Sequence, residues 1–595
     1  MIKGTAALLG ALGASALITL PVVAFRWPAA TAPTETNLAL GKPYSVSYGI
    51  PDTFFHNRNA TWHDTGGVLT NGQYANPNIF YGGFNHQWVG YAYQDSRTIT
   101  VDLGQIDTVH AITADYLNAP QYGVFLPLRV MFSVSNNGQD WQQVGNLPSP
   151  VPVSSSTTTS VQWKDSGLNI QARYVRIQFP VTVDVFTDEI QVFGQTGIGG
   201  GVPAPINTPR QTSPNLGYAS LAQTHGVSDL LLTPLWLGAN FNQQIYPWNL
   251  TPQQWLPLIT YDSPSGKILN WYFPSVLAAL GAGSNATSQV GWETWIQHLF
   301  TLGPYANRSG QSTELPALNQ AVATGQAALH DPSHRVNVVI AIPYPAPSET
   351  NWGRLDGQTM DFASTRDRIK AVTWFIRAVE QAWQQANLTH LRLAGFYWTN
   401  ESVYVRNPGE VQLVQATARL VHAVHGKFYW IPFYGAAGYN LWRKLGFDVA
   451  MLQPNYAFNG AITRQRFQGV AETAQHYGMG VEMEFPYAAL NPASPLGSNR
   501  YLMYQDAALA YGYAKNVPLA WYQNTQSLLV DYQDQRILYN LVYDFLQGTY
   551  TPQAYVPDGS GQYVLKPVSE VFPAVQPVTI PRGINSLAGV TAPAQ

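Results

Sequence analysis

Between residues 98 and 194 apolar and polar positions alternate in short runs broken by Gly, Pro and Asn. The clearest are TITVDLG (98–104), RVMFSVS (129–135), RYVRIQF (173–179) and EIQVFG (189–194). A period of two buries one face of a strand and wets the other, so these runs predict a β-sandwich. Asn136-Asn137-Gly138 supplies the turn residues of a hairpin. From residue 215 the texture changes. Apolar runs at 229–236, 267–273, 335–343, 391–398, 427–433, 447–452, 480–485 and 517–521 alternate with helical periodicity, clearest at 365–386, 410–425, 463–477 and 532–547. Strands alternating with helices predict a parallel sheet, and eight of them predict a closed (β/α)8 barrel. Neither GxGxxG nor GxxxxGK[ST] occurs to favour a doubly wound nucleotide fold.

Punctuation sets the domain limits. GIGGGVPAPINTPRQTSP (197–214) has a Gly run, spaced Pro and no apolar period, which predicts a linker. The expected units are a sandwich over 35–197, a linker over 198–214, a barrel over 215–550, and a tail over 551–595 that forms a small β appendage or trails in solution. Residues 1–32 carry Lys3, an apolar run from Thr5 to Phe25 and a small-residue stretch, the layout of a secretory signal peptide. The run is also long enough for an uncleaved anchor, so membrane contact is expected only if cleavage fails. Either way the remainder is expected to be secreted or cell-surface, as a monomer.

Composition narrows the partners. Aromatic residues make up 13% of the chain, with 18 Trp, while charged residues make up 11% and the net charge is −3. Without a basic stripe, nucleic acid is excluded as an expected partner. The chain has no cysteine, so neither disulfides nor thiolate metal sites operate. No HExxH motif occurs and the 12 His lack ligand spacing, so no cofactor is expected for catalysis.

Candidate chemistry sits where barrel strands end, because that face of the fold carries active sites. The ends offer Trp398, Asn400 and Glu401; Tyr434; Gln453, Asn455 and Tyr456; Glu482 and Glu484; and Trp521 and Gln523. Two carboxyl groups ringed by amides and aromatics are the parts of a glycosidase: one protonates the leaving oxygen, the other attacks or activates water, aromatics stack on sugar and amides bond hydroxyls. Glu482 and Glu484 lie two apart and point to one side of their strand. Glu484 lies nearer the mouth, with Glu482 one layer deeper as its support and Glu401 as the carboxyl group that answers them. Asp448, early on its strand, is expected to be structural.

NLALGKP (37–43), TVDLGQI (100–106), VSNNGQDW (134–141), ARYVRIQF (172–179) and EIQVFG (189–194) resemble, in order and spacing, the discoidin-like (coagulation factor 5/8 type C) domain. That resemblance implies a jelly-roll sandwich binding sugars through end loops, with Trp62, His86, Trp88, Tyr91 and Tyr93 as candidate contacts. It also implies a structural Ca2+ near Asp64, Asn71 and Glu189. The order of Asn400-Glu401 on the fourth strand and Glu484 on the seventh resembles the large clan of retaining (β/α)8 glycosidases, which implies acid/base and nucleophile roles and partner roles for Tyr456 and Trp521. DTGGVLTNGQYA (64–75) ahead of such a barrel resembles the bacterial DUF4855 group. The function these readings give is a secreted glycoside hydrolase cleaving a polysaccharide or surface glycan. The competing function is a non-catalytic polysaccharide-binding adhesin, in which the carboxylates would not converge or aromatics would plug the mouth.

Overall fold

A computed structural model describes residues 35–49, 61–62, 64–79, 87–92, 96–152, 155–205, 212–224, 226–234, 250–280, 286–300, 314–491, 496–524, 526–576 and 578–587. The apolar N-terminal run lies outside them, and among them no helix is long and apolar enough to cross a membrane.

The N-terminal unit is the expected discoidin-like sandwich. Its frame is two long antiparallel strands, Ser96–Asn118 and Thr159–Pro180, whose register is interrupted between Asp102 and Asp107. Gly104 turns the corner there at φ 88°, a left-handed value that glycine adopts without steric cost. Ile99, Val101, Ile112, Val175 and Ile177 alternate into a core with no exposed surface. The Asn136-Asn137-Gly138 turn joins Arg129–Ser135 to Gln142–Pro148 as an antiparallel pair.

The second unit is a closed barrel of eight parallel strands. They are β1 (Asp229–Pro234), β2 (Ser275–Ala279), β3 (Val336–Ile342), β4 (Leu391–Trp398), β5 (Lys427–Trp430), β6 (Val449–Leu452), β7 (Gly480–Glu484) and β8 (Leu519–Tyr522), with β8 pairing back on β1. The run at 267–273, expected as the second strand, instead contributes Ile268–Trp271 to a hairpin with Thr260–Asp262 outside the barrel. The true second strand, SVLAA, is short and small, so its periodicity is weak beside the aromatic run before it. The helical pattern at 532–547 is split into Ser527–Asp534 and Ile537–Gln547. Other helices begin where their caps predict. Ser364 accepts from the Asp367 amide at the start of Thr365–Gln385, and Asn407 caps Pro408–Ala423 with Pro at its first turn.

Two layers of core follow. Leu230, Leu277, Val339, Tyr397, Tyr429, Met451 and Ala520 fill the barrel interior. Leu231, Val276, Val338, Phe396, Trp398, Trp430 and Trp521 pack between strands and helices. β4 departs from strict alternation at one place, where Ala394 and Gly395 together stand opposite Val339. This bulge reverses the facing of every later residue of β4. Phe396 and Trp398 therefore face outward and Tyr397 inward. Asp448 accepts from Lys427, His422 and the Phe428 amide at the strand bases, the structural role its position predicts.

The linker and tail are ordered by pairing where they are described. Val202–Pro203 adds to the sandwich beside Ile170 and Gln171. The tail forms a hairpin, Gln553–Pro557 with Tyr563–Pro567, then a strap: Pro581 bridges Thr212, Arg129 donates to the Gly583 carbonyl, and Asn440 donates to Asn585. Ile580 and Ile584 are fully buried in a cluster that takes Leu128 and Met131 from the sandwich and the rest from the barrel side. The strap is thus an apolar wedge between the two units. Ile580→Ala is expected to cost about 2–4 kcal/mol, read as a lower melting temperature and faster proteolysis near residue 580.

Candidate functional site

Three carboxyl groups meet at the C-terminal mouth of the barrel. Glu482 and Glu484 project inward from β7, level with Ala520 and Tyr522 of β8. Glu401 follows β4 and is exposed at the rim. Their mutual repulsion is felt at Glu482, which both Glu484 and Glu401 push upward in pKa beyond what burial does. Burial and repulsion together favour its protonated form.

A pair of amides lies between the outer two. Gln453 prolongs β6 by bridging Phe433, and its amide nitrogen donates to the Ile431 carbonyl at 2.8 Å. The Gln453 amide also favours the ionised form of Glu401, and its oxygen accepts from Asn455 Nδ2 at 3.1 Å. Asn455 sits at φ 50°, a left-handed conformation that Asn tolerates better than most residues. The turn points its backbone N–H at Glu484 Oε1, 3.2 Å away. The path runs Gln453, Asn455, Glu484, with Glu401 beside the Gln453 amide. From the other side Tyr504, on the helix Leu496–Tyr511, donates its hydroxyl to Glu484 and accepts from the amides of Tyr456 and Ala457 at 3.1 and 2.9 Å.

Burial pushes Glu484 up to about 7, while the Tyr504 hydroxyl and the Asn455 and Tyr456 amides pull it down. Its environment is dry yet rich in donors, and those donors stabilise the ionised form. Glu401 is also raised by the protein around it, with the Gln453 hydrogen bond opposing. A raised carboxyl at the rim can hold a proton for transfer, and a donor-fixed carboxylate one layer deeper can attack or serve as base.

Several expected contacts face elsewhere. Trp398 is fully buried behind β4 against Tyr344 and Phe428, because the bulge turned it outward. Trp521 pairs with Met483, not with a glutamate, so it points into the helix layer, between Phe273 and Phe545, with its indole N–H on Asp229. Tyr456 packs on Phe467 under the Arg500 guanidinium and offers the site its backbone N–H only; Tyr504 holds the place beside Glu484 expected of Tyr456. Tyr434 is buried beneath Arg466. Asn400 turns its side chain to the Ser402 amide and its carbonyl to Trp430. Gln523 is buried at the end of β8, and both polar atoms of its amide lack a partner among the described residues.

The inward residues that composition did not single out are Tyr397 and Tyr522, each raised in pKa by burial and by the carboxyl groups. Tyr522 shares the parity of Glu484, a signal available once β7 and β8 are aligned. Phe458, 53% exposed, lies edge-on to Tyr522 at 5.8 Å and adds an apolar face at the rim.

In the sandwich, Trp88 is buried with Leu117, Val124 and Phe186, and Tyr91 lies in the main core against Phe179. Both pack inside and neither offers a face to a sugar. His86, Tyr93 and the side chain of Trp62 lie outside the described residues. Asp64 accepts from the Tyr44 hydroxyl and the Gly66 amide, Asn71 from the Gln73 amide, and both Glu189 oxygens from the Gly72 amide. Among the described residues no cluster of three or more His, Cys, Asp or Glu is arranged to hold a metal ion. Glu189 is raised to about 7 by burial, a state that a divalent cation beside it would relieve.

Comparison with known proteins adds the following. Residues 59–184 match the F5/8 type C domain. Among solved structures, chitosan-binding module 1 of a chitosanase/glucanase from Paenibacillus sp. IK-5 is similar at 20% identity, over 27% of this chain and 99% of that one, with a TM-score of 0.17. The module CpGH89CBM32-6 produced by Clostridium perfringens is similar at 16% identity, over 27% and 99%, with a TM-score of 0.17. The lectin domain of lectinolysin complexed with Lewis B antigen is similar at 18% identity, over 27% and 98%, with a TM-score of 0.18. No curated protein matches the chain. Residues 238–547, just over half the chain and nearly all of the barrel, match the domain of unknown function DUF4855, and the chain belongs to that family.

Proposed function

We propose that the protein is a secreted glycoside hydrolase whose barrel cleaves a polysaccharide, with Glu401 as acid/base and Glu484 as nucleophile, and whose sandwich holds the glycan. The observation that carries the reading is the convergence of three carboxyl groups at the barrel mouth, with Glu484 held by the hydrogen-bonded pair Gln453 and Asn455 and with Glu401 near enough to act on the strand-seven carboxyls. It sets a carboxyl raised in pKa against a donor-fixed one in a single site. The adhesin alternative predicts carboxyl groups that stay apart or a mouth plugged by aromatics, and the repulsion acting on Glu482 from both Glu484 and Glu401 speaks against the first.

In the first step Glu401 gives its proton to the glycosidic oxygen as that oxygen leaves, and the Glu484 carboxylate bonds to the anomeric carbon. In the second step Glu401 takes a proton from water, whose oxygen displaces Glu484 and frees the sugar. Glu482, biased toward its neutral form by burial and by its two carboxyl neighbours, reduces the charge facing the attacking carboxylate. Tyr522 and Phe458 are placed to stack on the sugar ring. A structural Ca2+ in the sandwich, held by Asp64, Asn71 and Glu189, belongs to the same reading.

The test is reducing-end release by the secreted protein from a panel of microbial and plant polysaccharides, with proton NMR of the first anomer formed. Release with retained configuration is expected. Inversion would make Glu484 a base acting on water, and no release from any polymer that the protein binds would sink the hydrolase reading.

Tyr504→Phe removes the hydroxyl donor to Glu484, so the Glu484 pKa rises further. The nucleophile must be ionised, so the acid limb of kcat/KM is expected to move to higher pH. The loss should be about tenfold at pH 6 and smaller at pH 8, and an unshifted pH profile would remove Tyr504 from the site.

A further inference from the structure

A cavity of about 470 Å³ lies between the two units. Pro120, Phe125 and Val183 wall it from the sandwich, and Tyr404, Arg406 and Glu410 from the barrel. Its size is that of a small-ligand site. Arg406 belongs to the loop after β4, five positions beyond Glu401.

Arg406 is the unusual group. It is 5% exposed, and its Nε and Nη1 are buried with no hydrogen-bond partner among the described residues. The nearest aromatic face is that of Phe125, 6.0 Å away. An unpaired buried guanidinium is costly to a fold, and such groups are normally matched by an acid. The acid in the same wall is already matched: Glu410 is held by Arg368 at 2.6 Å and by the Tyr344 hydroxyl at 2.9 Å. Asp184, next to the lining residue Val183, bonds Phe125 through its backbone and has a buried Oδ1 without a partner of its own, so it does not answer Arg406 either. Among the described residues the wall therefore carries one unanswered positive charge, at the edge of a cavity also lined by the paired Glu410, by Asn407, by rings and aliphatic groups, and by the hydroxyl-bearing Ser155, Ser156 and Thr182.

We propose that this cavity binds the carboxylate of an acidic sugar residue, with Arg406 as its anchor, and hence that the polysaccharide is a uronate polymer. A guanidinium holds a carboxylate by charge-assisted hydrogen bonds, stronger than those between neutral groups. Phe125, Pro120 and Val183 suit the C–H face of a pyranose, and the hydroxyls suit its rim. The site takes one wall from each unit and shares a loop with Glu401, so an occupied Arg406 ties the bound chain to the catalytic mouth. The proposal rests on the glycan reading above and specifies the substrate class.

The test is calorimetric titration of the full-length protein, as Glu484→Gln to prevent turnover, with tetramers of galacturonate, glucuronate and mannuronate, and with cellotetraose and inorganic phosphate as controls. At least one uronate is expected to bind more tightly than cellotetraose. Arg406→Gln should weaken it about tenfold or more, Arg406→Lys less. Because Arg406→Gln removes an unpaired buried charge, its melting temperature should equal or exceed that of its parent, which separates lost binding from lost folding. If no uronate binds better than cellotetraose, if Arg406→Gln binds uronate like its parent, or if phosphate binds through Arg406 more tightly than any uronate, the proposal fails. Hydrolysis of neutral polymers alone would overturn it while leaving the hydrolase standing. Uronate binding through Arg406 without cleavage of any polymer would do the reverse.

Discussion

Glu484→Gln is expected to lower kcat by about 10³-fold or more while making the protein more stable than the parent at pH 8. The loss of rate follows from the chemistry, since an amide can neither attack the anomeric carbon nor deprotonate water. The gain in stability follows from the pKa. The Glu484 carboxyl lies at about 7 when folded, against an ordinary 4.5. The unfolded chain therefore gives up this proton first. As pH rises from 4.5 to 7 unfolding is favoured, and the penalty, on the order of 3 kcal/mol, is complete above 7. Glutamine carries no such penalty. It sets its NH2 against one of the donors that Glu484 accepts, at about 1 kcal/mol, which is the smaller effect. Thermal melts should thus separate the two proteins at pH 8, with Gln higher, and bring them together or reverse them at pH 4.5. A variant that loses activity and also melts lower at pH 8 would mean that Glu484 is a buried structural acid.

Gly395→Ala is expected to destabilise the barrel by about 3 kcal/mol or more and to reduce activity in whatever folds. A Cβ at this position would lie 1.9 Å from the Lys427 carbonyl oxygen and 2.6 Å from its nitrogen. Both are backbone atoms of β5, so relief requires β4 and β5 to part, not a side chain to turn. Parting them disturbs the bulge that sends Tyr397 inward and leads into Glu401. Denaturant melts read the stability, and kcat of the folded fraction reads the site. An alanine variant with unchanged melting would show that β4 can straighten, with Trp398 then turning toward the mouth.

The bulge also explains where reading the sequence went astray. Trp398 and Trp521 stand at strand ends beside apolar neighbours, and nothing local says which way they face. Their facing is set by register, and a single residue of slip exchanges interior for exterior. On β4 the slip is the Ala394-Gly395 bulge; on β8 it is the pairing of Tyr522 with Glu484. Tyr504 had no legible signal, since it reaches Glu484 from a helix with no periodic link to the strands. Trp88 and Tyr91 turn inward for a related reason: Tyr91 lies in the buried strand Val89–Ala92 and Trp88 leads into it, and aromatic composition alone does not say which face of a strand meets the core. The barrel strand at 275–279 was hidden by small residues beside a more strongly patterned hairpin.

The sequence by itself determined the two-unit architecture, seven of the eight barrel strands, and the placement of Glu401, Glu482 and Glu484 at strand ends. Those features are local: alternation, helical period and the position of a carboxylate after an apolar run survive in one dimension. Only the tertiary structure decided which aromatics face the carboxyl groups, that Gln453 and Asn455 stand between Glu401 and Glu484, that the tail wedges between the units, and that Arg406 is buried without an acid among the described residues. Each of these depends on residues far apart in sequence meeting at a fixed register, and on charge and burial that have no value until the chain has closed around them.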